Sequence, residues 1–221
     1  LNKDMTFAGL LKGKAVTKEG TGRLTLKTVG STSPVTVNGG TLELSNTTAT
    51  PITTGLVTVA AKGVITGTAT VQNLTLKQGG TTLCQLKASG NTCLTVKGSL
   101  KHEGDTILVV IPNTRHLQVG DEITVYKVSG THSGNFIVKV DDGGVGYELD
   151  ASTLLTDGKL RVTAIASGIN AVISPETLVD VYTVGGILLH TQMPYTAVRG
   201  LLRSGTYVVR GGKTSQIIRI E

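Results

Sequence analysis

Four histidines, two cysteines and a set of aspartates are the residues whose chemistry could reach beyond packing. His102, His116, His132 and His190 lie far apart in sequence, and none stands at a metal-ligand spacing from another. His102 adjoins Glu103 and His116 adjoins Arg115, both in turn-like contexts, so the histidines read as surface polar residues. Cys84 and Cys93 flank the polar stretch Ala88-Ser89-Gly90-Asn91-Thr92. A disulfide there would close a small loop between neighbouring strands and would fit an exported protein. The other reading is two free thiols buried in adjacent layers. With no histidine pair beside them, the cysteines do not make a zinc site.

Some β-helices cleave acidic polysaccharides with carboxylate-bound calcium and a basic residue on one sheet face. The nearest candidates here are Asp141, Asp142 and Asp150, with Lys139. Asp141-Asp142-Gly143-Gly144 is also a good hairpin turn, since Asp accepts turn hydrogen bonds and Gly takes positive φ, and the turn is the stronger reading. No Gly-x-Ser-x-Gly elbow marks a nucleophile. Gly143-Gly144-Val145-Gly146 is not followed by a helical pattern, so it is no phosphate cradle. Aromatic residues make up 3% of the chain and Trp is absent, which leaves little to line a sugar-cleaving cleft. These observations predict a protein that is not an enzyme and has no catalytic, cofactor or metal residues.

The formal net charge is +6. Lys12, Lys14, Lys18, Lys27, Lys62, Lys77, Lys87 and Lys97 are scattered singly and not interleaved with aromatics, which argues against nucleic acid as a partner. The longest apolar run, Ile107 to Ile111, is a buried strand far short of the roughly 20 residues that span a bilayer. The chain starts at Leu1 without Met and is expected to be a mature form or a piece of a longer precursor.

The elements that must position these residues are short strands. Gly40-Thr41-Leu42-Glu43-Leu44 alternates apolar and polar, which sends both leucines to one face. Looser copies are Gly22 to Lys27, Gly55 to Val59, Gly67 to Val71, Asn73 to Lys77 and Cys93 to Lys97. Such units cannot bury their apolar faces alone and must stack. The fold class is all-β. A β-solenoid is favoured by small, uniform residues and scarce aromatics, and a tandem of antiparallel β-sandwiches is the alternative. Residues 1–166 form the repeat region, with a cap over about 100–166, and the only helical hint, Ala151 to Leu155, is too short to count on. Residues 167–221 form a small β-sandwich-like module with a Gly185-Gly186 hairpin turn.

Three stretches carry a family resemblance. Val35 to Leu44 resembles the β-strand repeats of autotransporter-like adhesins. Tyr147 to Val162 resembles the segment that ends such passenger β-helices. The tail, with Tyr182, Gly185 and Gly186, then Gly205 and Tyr207, then Gly211, Gly212 and Lys213, resembles the C-terminal sorting domain of the Bacteroidetes type IX secretion type, although Val184 stands where that pattern often has Asp or Asn. The resemblance implies a right-handed parallel β-helix and a secreted or cell-surface location in a Gram-negative bacterium. It implies an adhesin or stalk whose partner is a host or matrix surface ligand, glycan or protein, and whose tail engages secretion machinery. The alternative function is a carbohydrate-active β-helix of the polysaccharide-lyase kind, or its carbohydrate-binding accessory region.

Overall fold

The computed structural model describes residues 2–165, 177–211 and 214–220. The chain forms two compact units, which divide near residues 164 and 165. In the first, strands follow one another as β1 (Met5–Phe7), β2 (Val16–Lys18), β3 (Arg23–Leu26), β4 (Val35–Val37), β5 (Gly40–Ser45), β6 (Leu56–Val59), β7 (Gly63–Val71), β8 (Asn73–Lys77), β9 (Thr81–Gln85), β10 (Leu94–Val96) and β11 (Leu100–Val110). Then come β12 (Glu122–Thr124), β13 (Tyr126–Val128), β14 (His132–Asp141), β15 (Tyr147–Asp150), the single-turn helix α1 (Leu154–Asp157) and β16 (Lys159–Ile165).

Three rows of parallel pairing run through this unit. In the first row Met5 pairs with Leu24, Leu24 with Leu42, Leu42 with Ile65, Ile65 with Thr82, Thr82 with Ile107 and Ile107 with Val138. In the second row Val16 pairs with Val35, Val35 with Val57, Val57 with Leu74, Leu74 with Leu100 and Leu100 with His132. The third row is shorter: Ser31 bridges to Thr53, and Ala69 pairs with Leu94, which pairs with Tyr126. Because β7, β11 and β14 each take part in two rows, one large parallel sheet curls into a half-barrel, in the manner of a β-solenoid. The parallel ladder runs on past Leu100, through β14 to Asp141.

Packing explains the stack. Each short strand is apolar on one face only, so it gains stability only by laying that face over the coil before it. Leu42, Ile65 and Ile107 in the first row, and Val35, Val57, Leu74 and Leu100 in the second, are all buried. Each such side chain contributes about 1.5–3 kcal/mol by leaving water. A second inner row departs from this rule at both ends. It runs Lys18, Val37, Val59, Leu76, His102, Gly134, with a cation in the first coil and an imidazole near the last. Lys18 is only 3% exposed, and its Nζ donates to the carbonyls of Glu19, Gly20 and Gly39 at 2.9–3.0 Å. Those three acceptors replace the water that a buried ammonium loses.

Measured along the first row, the coils differ in length, from 17 residues (Ile65 to Thr82) to 31 (Ile107 to Val138). Nearly all of that variation falls at one corner, between the first and third rows. β7 passes it from Gly67 to Ala69 without a break, whereas Cys84 to Leu94 and Val109 to Tyr126 carry loops of increasing length. Gly67 makes the direct passage possible. Its φ is +119°, and a Cβ there would lie 1.9 Å from the Leu44 carbonyl oxygen.

β12, β16 and β15 form a three-stranded sheet, in which β12 and β16 are antiparallel. Ile123, Tyr147, Leu154, Leu160 and Val162 are buried under it, and α1 lies against β13 and β14. On the outside Glu122 bridges Lys159 and Arg161, which hold its carboxyl below the ordinary range, Lys159 having the larger effect.

The second unit has one antiparallel sheet in the order β18-β17-β19-β20, where β17 is Leu178–Thr183, β18 Leu188–Pro194, β19 Gly205–Gly211 and β20 Thr214–Ile220. Helix α2 (Tyr195–Leu201) lies against β17 and β18, and its Val198 joins Val179, Val181, Val209 and Ile218 in a small core. The layer opposite the sheet is thus a helix. The second sheet that a β-sandwich requires is not seen among the described residues. Residues 195–200 carry β-branched Thr196 and Val198 and a glycine, so nothing local announces a helix. Burial of Val198 on the sheet holds it.

Candidate functional site

The corner where the coils differ in length also carries the groove. Glu43, Leu44 and Ser45 from β5, Thr47 from the loop after it, Gly67 and Thr68 from β7, and Lys87 and Thr92 from the loop after β9 enclose about 310 Å³. Loops on a rigid scaffold are where binding residues concentrate, because the ladder fixes their bases while their sequences are free to vary. Glu43 Oε2 accepts from Arg23 Nη1 at 2.9 Å and from Thr25 Oγ1 at 3.3 Å, so the carboxylate is held by the neighbouring coil. Thr92 Oγ1 accepts from the Gln85 amide at 2.7 Å and fixes the loop. The Lys87 ammonium and the hydroxyls of Ser45, Thr47 and Thr68 have no partner among the described residues. This arrangement offers several hydroxyls and one free cation to a polar ligand about the size of a sugar residue.

On the outside of the second row, Thr17, Thr36, Thr58 and Thr75 stand in register, followed by Lys101 and Ser133. Parallel strands place these hydroxyls about 4.8 Å apart. The face is polar, uniform and free of carboxylates along that line.

Inside the last coils the aliphatic rows give way to a polar and aromatic cluster. His102 and Asp105 are fully buried, and His102 Nδ1 donates to Asp105 Oδ1 at 2.9 Å. His102 Nε2 meets His132 Nε2 at 3.1 Å. A carboxylate oxygen accepts, so the Nδ1 proton of His102 faces Asp105, while the two Nε2 atoms share a single proton between them. Burial, and then the neighbouring His102, push the His132 imidazole down to about 4, which keeps it neutral. Tyr126 stacks edge-on to His102 at 5.6 Å and donates its hydroxyl to Thr82 Oγ1 at 2.8 Å, and burial drives its pKa well up. Phe136 closes the other side, 5.1 Å from His102. Asp105 Oδ2 is buried and receives no hydrogen bond.

The expectation that His102 is a surface residue is therefore corrected. Its position two residues after the inward Leu100 puts it on the core face of β11. His116 is exposed, and His190 lies on β18. Cys84 and Cys93 are free thiols. Cys84 faces the core, where Asn91 Nδ2 donates to its Sγ at 3.4 Å and burial pushes its pKa up to about 12. Of the aspartates, Asp142 accepts from the Tyr147 amide at 2.7 Å and Asp150 from the Ser152 amide and hydroxyl, so both fasten turns. Asp141 and Lys139 lie on the exposed side of β14. In the second unit Tyr182 lies one residue before the end of β17, Gly185 and Gly186 form the turn into β18, Gly205 and Gly211 bound β19, and Tyr207 donates to the Arg203 carbonyl. Gly212 and Lys213 lie outside the described residues.

Sequence reasoning missed the groove and the histidine cluster. The signal for the cluster was the inward parity of His102 and of Asp105 on either side of Gly104. The contact with His132 depends on a coil length that no local pattern states. Among the described residues no group of three or more His, Cys, Asp or Glu is arranged to hold a metal ion, and no helix is long and apolar enough to cross a membrane. No protein-family model, curated protein or solved structure matches the chain.

Proposed function

We propose that this chain is a non-enzymatic adhesin or stalk piece, secreted or displayed on the surface of a Gram-negative bacterium of the Bacteroidetes type. In this reading the first unit is a right-handed parallel β-helix that binds a host or matrix ligand, glycan or protein. The second unit serves export and anchoring through the secretion machinery, as a sandwich-like sorting module would. The observation that carries the reading is the groove at the variable corner. Its free Lys87 and its hydroxyls are set on a repetitive scaffold that presents a threonine row on another face.

The test is binding of the full chain to arrayed acidic and neutral glycans and to immobilised matrix proteins. Saturable binding that weakens with Lys87→Glu and Thr68→Ala supports the reading, and binding indifferent to both changes overturns the groove as its site. Deleting residues 178–221 in the producing cell should abolish display, and unchanged display overturns the export role.

The second reading, a carbohydrate-active β-helix, draws on Glu43 and Lys87 lining one groove. A lyase would release unsaturated uronides from acidic polysaccharides, seen as rising ultraviolet absorbance. Arg23 and Thr25 both hold Glu43 Oε2, which fixes this carboxylate as part of the groove wall and favours the binding reading.

A further inference from the structure

We propose that His102 and His132 form a binding site for a divalent transition-metal ion of the zinc class, held between their Nε2 atoms, with Asp105 orienting His102 from behind. Three observations converge. The two Nε2 atoms are 3.1 Å apart. Two nitrogens each about 2.0–2.1 Å from one zinc ion, at neighbouring coordination positions, are separated by about that distance. His102 donates its other ring proton to Asp105 Oδ1 at 2.9 Å, which in the neutral ring puts the lone pair on Nε2, facing His132. Metal-bound histidines commonly show this carboxylate support.

The third observation is electrostatic. Asp105 is fully buried, its Oδ2 receives no hydrogen bond, and among the described residues the His102 ring is its partner, with no Lys or Arg beside it. A carboxylate in such a place needs positive charge nearby. A divalent ion on the far side of His102 supplies it through the ring. The proton shared between the two Nε2 atoms leaves that line, to His132 Nδ1 or to solvent, and both Nε2 lone pairs turn to the metal. His132 is only partly buried, so the ion has an approach from solvent and water completes its coordination. Two protein nitrogens make a weaker site than a three-ligand set, one that loads reversibly.

The experiment is calorimetric titration of the tag-free full chain with zinc chloride, followed by the visible spectrum of cobalt(II) in the same protein. One equivalent per chain is expected, with nitrogen ligation in the cobalt bands. His132→Ala should abolish saturable binding, and Asp105→Asn should weaken it about 10–100-fold. The double variant His116→Ala/His190→Ala should bind as the wild type does. Should His132→Ala fail to fold by circular dichroism, His132→Phe keeps a ring in place without the nitrogen and decides instead. Absence of one-equivalent binding in the wild type overturns the proposal, as does binding that survives loss of the His132 imidazole.

Discussion

Lys18 Nζ donates to the carbonyl of Gly39, 21 residues further along the chain, at 2.9 Å. The bond ties one corner of the ladder to the same corner of the next coil. A methionine at this position would keep the packing and lose all three charge-assisted bonds, leaving buried carbonyls without donors. Lys18→Met is expected to destabilise the protein by about 1–3 kcal/mol in urea unfolding. An unchanged midpoint would mean that water replaces the ammonium there.

Neighbouring residues of β8 should respond very differently. Leu76 is buried in the second inner row, and Thr75 stands in the outer threonine row. Leu76→Ala is expected to cost about 2–5 kcal/mol. Thr75→Ala should fall within about 0.5 kcal/mol of wild type. Equal effects at the two sites would contradict the inward and outward assignment of the row.

Gly67→Ala tests the close passage of the chain through its variable corner. The added Cβ meets the Leu44 carbonyl oxygen at 1.9 Å with φ at +119°, so backbone must move. Lower thermal stability is expected, with the Leu44–Gly67 pairing lost first in hydrogen exchange. By contrast, Gly120→Ala adds an atom with nothing within 4 Å and carries only the penalty of its own positive φ.

In metal-free protein, stability should depend on pH through His132. Folding lowers its pKa from 6.5 to about 4, chiefly by burial. Between those values the unfolded chain binds a proton that the folded chain refuses, so stability falls as pH drops through that window and is level above it. Urea midpoints across the window measure the slope, which His132→Phe should flatten.

Thiol reactivity gives a direct reading of the core. Cys84 is buried with its pKa at about 12, and Cys93 is raised by burial as well. Alkylation of the native protein near neutral pH should be slow at both, and slowest at Cys84, because the thiolate is the reacting form. Unfolded, unreduced protein should show both thiols. Their absence from that titration would mean that the two cysteines are bridged.

The strands were legible because side-chain alternation is local. Leu42 and Leu44 point inward and Glu43 outward, as their spacing requires. The stacking of coils was legible as well, from Gly-Leu and Gly-Val phrases too short to bury themselves. What composition hid was register. Copies of the phrase are unevenly spaced because the extra residues leave the ladder at one corner, which no window of sequence can show. For the same reason the approach of His102 to His132, 30 residues apart, was not visible. Helix α2 was hidden by β-branched residues that only tertiary packing makes helical.

The uneven coil lengths have a consequence for how such a chain can be altered. Coils from 17 to 31 residues keep one register because the surplus loops out between the first and third rows. A foreign peptide spliced into the loop 87–91 would extend an existing excursion, whereas the same peptide placed between Val96 and Leu100 would break both rows at once. The corner is a grafting point as far as register is concerned, because the two other corners hold the rows together.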